Sequence, residues 1–127
     1  MTDTELCAAA IAARDEAYAP YSGFKVGAAL LCGDGGVYTG CNIENAAYPL
    51  TVCAERTAVF KAVSDGKRDF VKIAVSGGDG AEPCPPCGSC RQVLAEFCGA
   101  DFEILLPHAD GFDKYTLAEL LPLSFKL

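Results

Sequence analysis

Thr51-Val52-Cys53-Ala54-Glu55-Arg56 and Pro86-Cys87-Gly88-Ser89-Cys90 decide how this chain is read. Thr51 is a suitable helix N-cap. Val52, Val59, Phe60 and Val63 then place apolar groups on one side of a helix running to about Asp65, with Gly66 as its stop. A further helix is expected to begin near Cys87, carry Val93, Leu94 and Phe97 on one face, and end around Gly99. Three thiols and a carboxylate therefore stand at the starts of two helices, with Cys53 and Cys87 34 positions apart. Zinc accepts thiolates readily, and three protein ligands leave a fourth tetrahedral position for water, the pattern of a catalytic rather than a closed structural site.

The ligand set needs one choice, because Pro83-Cys84-Pro85-Pro86-Cys87 is itself a PCxxC and pits Cys84 with Cys87 against Cys87 with Cys90. Pro85 and Pro86 have no backbone N–H to offer a thiolate, whereas Gly88 and Ser89 do, at a helix start whose dipole favours anions. Cys87 and Cys90 are the expected pair. A redox CxxC is the competing reading, and Cys53-Ala54-Glu55 weighs against it by supplying a third ligand and a base. The remaining five of the eight cysteines, Cys7, Cys32, Cys41, Cys84 and Cys98, read as free thiols, small hydrophobes when buried.

Outward from these motifs the pattern alternates. Thr2 with Glu5 resembles a capping box, and Leu6, Ala10, Ala13 and Ala17 continue at helical spacing, so a helix from about Thr4 to Tyr18 is expected before Pro20. Val26 to Cys32 reads as a buried strand turning at Gly33-Asp34-Gly35-Gly36 into a partner from Val37 to Ile43. Asn42 and Glu44, two apart, would share a face if that strand continued. Val71 to Ser76 and Phe102 to Leu106, ended by Pro107, are further strands, and 112–122 holds a last strand and a helical turn. One domain over residues 1–127, an α/β sandwich with a mixed sheet, is the economical architecture.

Composition excludes several classes of function. With 51% hydrophobic and 21% charged residues the chain is globular rather than disordered. A net charge of -7 repels phosphate backbones, so nucleic acid is not the expected partner. No run approaches the roughly 18 apolar residues of a membrane helix. Asp3 and Glu5 near the start do not suit an export signal, which together with free thiols makes a reducing cytoplasm the expected location.

Cys53-Ala54-Glu55 followed by Pro86-Cys87-Gly88-Ser89-Cys90 resembles the zinc-dependent nucleoside and base deaminases, whose signature is Cys or His, any residue, Glu, and later PCxxC. Asn42-Ile43-Glu44-Asn45-Ala46-Ala47-Tyr48, Cys90-Arg91-Gln92, and Leu120-Leu121-Pro122 with Phe125 extend the likeness to the small cytidine deaminases over nearly the whole chain. That resemblance implies a three-layer α/β/α sandwich on a five-stranded mixed sheet, one Zn2+ per chain, and a homotetramer with shared active sites. It implies hydrolysis of free cytidine and 2'-deoxycytidine to the uridines with release of ammonia, a step of pyrimidine salvage. Hydroxide generated at the zinc would attack C4, and Glu55 would shuttle protons. Asn42 and Glu44 would bind the sugar, Phe24 and Tyr48 would line the pocket, Ala54 would offer backbone groups to the base, and Phe125 would reach a neighbouring subunit's pocket. Arg56, one helical turn after Cys53, would donate to two ligand sulfurs and offset their charge. His108, the only histidine, matches no ligand position. A blasticidin-type deaminase of a modified cytosine nucleoside and a structural zinc module are the alternatives. The sugar-binding pair disfavours the first, and the open fourth position the second.

Overall fold

The computed structural model describes residues 1–127. The chain opens with α1 (Asp3–Arg14), whose Thr2 side chain accepts from Glu5 N while Glu5 accepts from Thr2 N, so the capping box forms as read. This helix ends four residues before the expected Tyr18. Tyr18 is instead held extended, its N–H donating to Asn42 O (3.0 Å) and its carbonyl accepting from Glu44 N (2.8 Å), a contact with a segment distant in sequence.

Strands β1 (Val26–Cys32) and β2 (Val37–Cys41) form the expected hairpin, with Gly35 at φ +88° in its turn, where a side chain would be strained. The second strand ends two residues earlier than expected. Asn42 and Glu44 lie beyond it, and the Ile43 between them bridges Tyr18 and Val52. After a 3₁₀ turn at Tyr48–Leu50 comes α2 (Ala54–Ser64), whose N-cap is Cys53 and not Thr51. Thr51 Oγ1 is engaged elsewhere, accepting from Asn45 N at 3.2 Å. The chain continues through β3 (Phe70–Gly77), α3 (Gly88–Phe97), β4 (Glu103–His108), β5 (Gly111–Thr116) and the short α4 (Leu117–Leu120). Pro107 lies inside β4 rather than ending it. It sits past Leu105, the last residue paired to β3, so no N–H is asked of it on that side.

The sheet order is β2-β1-β3-β4-β5, antiparallel except for the β3–β4 pair. Side chains alternate between its faces. Ala28, Leu30, Ile73, Val75, Ile104 and Leu106 join the core beneath α2, α3 and α4, while Ala29, Ala74 and Leu105 pack against Leu6, Cys7 and Ala10 of α1. Helices on both faces make the expected three layers. Val26 pairs with Gly77 and Gly27 with Cys41, so β1 begins where β2 and β3 end. Both site-bearing helices start near that edge.

On the α1 face the fit is set by missing side chains. A Cβ on Gly27 would fall 2.2 Å from Ala10 O and 2.3 Å from Arg14 N, so the helix backbone rests directly on the strand. Gly27→Ala is expected to force α1 off the sheet and to cost about 3 kcal/mol, the upper part of the usual overpacking range. Urea unfolding would register this as a lower midpoint at unchanged slope, and an unchanged midpoint would contradict the close seating.

Candidate metal centre

Cys53 (φ -77°, ψ 156°) and Cys87 (φ -66°, ψ 168°) are both extended N-cap residues, and neither spends its side chain on capping its own helix. Their sulfurs are thus free to point beyond the helix starts, where unpaired N–H groups and the dipole favour negative charge. Cys90, one turn into α3, is fully buried beside them. The sulfurs of Cys53 and Cys87 stand 3.9 Å apart and those of Cys87 and Cys90 3.4 Å, with all three within 4.8 Å of one another. Three sulfurs tetrahedrally bound to zinc at about 2.3 Å would be about 3.8 Å apart, so this donor set fits that ion. No fourth Cys, His, Asp or Glu lies within that distance of all three.

Cys84 stays outside the cluster. Its sulfur packs over the end of β3, where a Cβ on Gly77 would meet it at 2.5 Å. Among the other thiols, Cys7, Cys32 and Cys98 are buried, and burial pushes Cys7 up to about 11 and Cys98 up to about 12. They behave as hydrophobes. His108 is likewise remote in role, its Nε2 lying 3.1 Å from Asp113 Oδ1 across the β4–β5 pair.

The cluster polarises its own charges. The Cys90 thiol and then the Arg56 guanidinium draw Cys53 down to about 5, while Cys90, facing the Cys53 thiolate in a buried position, is raised. Arg56 Nη2 donates to Cys53 Sγ at 3.1 Å. The Cys53 sulfur and, after it, the Cys90 sulfur stabilise the charged guanidinium, while Arg56 Nε is buried and without a hydrogen-bond partner. Glu55 is only 5% exposed, and burial pushes its carboxyl above the ordinary glutamate value, the poise suited to a group that both takes and returns a proton.

A cavity of about 200 Å³ opens onto this group, lined by Val26, Asn42, Ala54, Glu55, Cys53 and Cys87 among others. The remaining expected contacts lie around it. Phe24 leans over Gly77 and Gly78 in a hollow that shares Cys84 and Pro85 with the cavity. Glu44 and Tyr48 line another that shares Thr51, and Tyr48 meets Tyr21 edge-on. Phe125 lines neither. Its backbone is clamped by Gln92, which donates from Nε2 to Phe125 O (2.7 Å), and the residue is 69% exposed.

Asn42 and Glu44 lie just past β2, on either side of Ile43, whose bridges to Tyr18 and Val52 keep this stretch paired. Asn42 accepts from Val26 N and donates to Phe24 O, both at 2.8 Å, while Glu44 Oε1 accepts from Tyr21 N (2.9 Å) and Ser22 N (3.1 Å). Each side chain moulds the 21–26 segment before it meets any ligand. Arg91, within the Cys90-Arg91-Gln92 likeness, has a task that the sequence reading does not assign. Its Nε donates to Pro86 O (2.7 Å) and its Nη1 to Leu120 O (2.6 Å), which pins the turn entering Cys87 to the end of α4. Its place four residues after Cys87, one helical turn on, was the available signal.

Residues 1–105 match the family model described as the cytidine and deoxycytidylate deaminase zinc-binding region. A cytidine deaminase from Halalkalibacterium halodurans is 58% identical over 117 residues, 91% of this chain and 88% of that protein. One from Mycobacterium tuberculosis is 46% identical over 111 residues, 87% of this chain and 80% of that protein. Among solved structures, cytidine deaminase from Burkholderia pseudomallei superposes with a TM-score of 0.92 at 48% identity, covering 98% of this chain and all (100%) of that one.

Cys90→Ala is expected to lose the bound zinc and Cys84→Ala to keep one ion per chain, read by metal analysis of purified protein. Equal zinc content in the two would contradict the assignment. Glu44 gives a second expectation. The Ser22 hydroxyl, then the backbone N–H groups of Ser22 and Tyr21, hold its carboxyl below the ordinary 4.5. A depressed carboxyl keeps its anchoring above the unfolded value and loses it as pH falls through the lower, folded one. The amide resonances of Tyr21 and Ser22 should therefore titrate with a midpoint below 4.5, and one at or above it would refute the anchoring.

Proposed function

Because the chain belongs to the cytidine and deoxycytidylate deaminase family, a family of zinc enzymes, we propose that it hydrolyses free cytidine and 2'-deoxycytidine to the corresponding uridines and ammonia. The observation that carries this reading is the set of three sulfurs, that of Cys87 standing 3.9 Å from Cys53 and 3.4 Å from Cys90, with the buried carboxyl of Glu55 lining the same cavity.

Cys53, Cys87 and Cys90 hold the one Zn2+ of each chain. When bound, zinc supplies the Lewis acidity that lets a water act as nucleophile near neutral pH. Glu55 takes a proton from the attacking water and delivers it to N3 of the cytosine ring. Once the oxygen is bonded to C4, the carboxylate takes the second proton from that oxygen and gives it to the amino group, so that the C4–N4 bond breaks, the C4 carbonyl forms and ammonia leaves. Burial favours its protonated form, so it takes a proton more readily than an exposed glutamate would. Arg56 offsets part of the negative charge of three thiolates through its contact with Cys53. Ala54 contributes backbone groups to the base edge.

Asn42 and Glu44 meet the sugar. Their internal bonds set the direction of their remaining acceptor positions, since a carboxylate oxygen and an amide oxygen each have a second lone pair. A pre-shaped pair loses little freedom when a ribose arrives. Phe24 and Tyr48 close the cavity from its two neighbouring hollows. Phe125, exposed and with its backbone fixed on α3, suits a contact with a second copy, in keeping with a homotetramer of shared sites. A cytoplasmic role in pyrimidine salvage follows from such a substrate and product. No helix is long and apolar enough to cross a membrane.

Glu55→Ala is expected to retain one zinc per chain while turnover falls by at least about 10³-fold, within the range of general acid–base contributions. The fall in ultraviolet absorbance as cytidine becomes uridine reads the rate. Wild-type protein with full zinc and an unchanged cytidine spectrum would instead favour a structural zinc module.

A further inference from the structure

The first turn of α2 is seated on β2 at one point. Gly40 provides it, because a Cβ there would stand 2.5 Å from Ala58 N, 2.6 Å from Ala54 O and 3.0 Å from Thr57 Cβ. Two of those atoms are helix backbone and cannot swing aside. Next to this contact the Thr57 hydroxyl lies 3.0 Å from Cys41 O and 3.2 Å from Cys53 O. A hydroxyl has one hydrogen to donate, so the two carbonyls share it and must both remain within its reach.

One carbonyl belongs to Cys53, which lines the cavity, and the other to the residue before Asn42, which lines it from another segment. Cys53 carries one of the clustered sulfurs, and Cys41 is the last residue of β2, followed directly by Asn42. A threonine in a helix often bonds back to the carbonyl four residues earlier, and that habit alone would explain the Cys53 contact. It does not explain the shorter bond, which crosses from helix to strand. We propose that Thr57, seated by Gly40, is a positioning residue that holds the Cys53 turn and the Asn42 strand end at a fixed separation, and so couples retention of the metal to grip on the nucleoside. The coupling to nucleoside rests on the function proposed above. The coupling to metal does not.

Thr57→Val removes the hydroxyl at nearly constant shape, and Thr57→Ser keeps it. With full-length zinc protein, the valine variant is expected to lose zinc to a chelator about 10-fold faster than wild type, the lower end of effects from groups that orient metal ligands. Its KM for cytidine should rise about fivefold, the size of one lost hydrogen bond, with serine restoring both and the thermal midpoint reporting any general destabilisation. Valine matching wild type in zinc loss and KM would overturn the proposal, and so would a change in only one of the two or failure of serine to restore them. If the valine variant does not fold, Thr57→Ala against Thr57→Ser makes the same comparison. A wild-type protein inert toward cytidine would sink the deaminase reading instead, and zinc retention alone would then decide whether Thr57 fixes the metal turn.

Discussion

Three sulfurs that would each carry negative charge are crowded together at the starts of two helices, and the rest of the fold makes that crowding tolerable. Two thiolates 3.9 Å apart repel by about 4 kcal/mol at an effective dielectric of about 20. Between the side chains alone the answer is to share: Cys53 takes the negative charge, helped by the Cys90 thiol and Arg56, and Cys90 keeps its proton. A divalent cation changes the balance by drawing all three into the ionised form with release of protons, so the site is built around a charge the chain itself does not carry.

Bringing the sulfurs together is the work of the sheet. Cys53 and Cys87 cap helices on the same face, and both helices begin near the edge where β1 starts and β2 and β3 end. Ligand sites in open α/β sheets favour the carboxyl ends of strands, and the parallel β3–β4 pair with its α3 crossover supplies such an end here. Arg91 then fixes the turn entering α3 from behind, and Gly40 lets α2 sit directly on β2. Side-chain hydrogen bonds and missing side chains thus fix the two helix starts relative to each other.

Around the cavity the polar residues shape the wall. Asn42 and Glu44 hold the 21–26 segment by its backbone, which fixes Phe24 on one side and Tyr21 with Tyr48 on the other. Substituting either would disturb the wall as well as any contact with ligand, so kinetic effects of such changes report both roles together.

Much of this was legible in the chain itself. The capping box at Thr2, the β1–β2 hairpin, the alternation that puts Ala28 and Ala29 on opposite faces, and the pairing of Cys87 with Cys90 all follow from residue type and local spacing. Local rules govern such features, because capping, pleat and metal preference are decided within a few residues. The misjudged points were those where a distant segment intervened: Tyr18 leaves helical geometry to bond Asn42 and Glu44, Thr51 caps nothing because Asn45 engages it, and Pro107 is tolerated in β4 because β3 has already stopped pairing. The backbone anchoring by Asn42 and Glu44 and the supports from Arg91 and Thr57 belong to the same class. Each depends on which backbone group lies within about 3 Å of a side chain once the layers have packed, and that distance is set by tertiary contacts across tens of residues rather than by any local pattern.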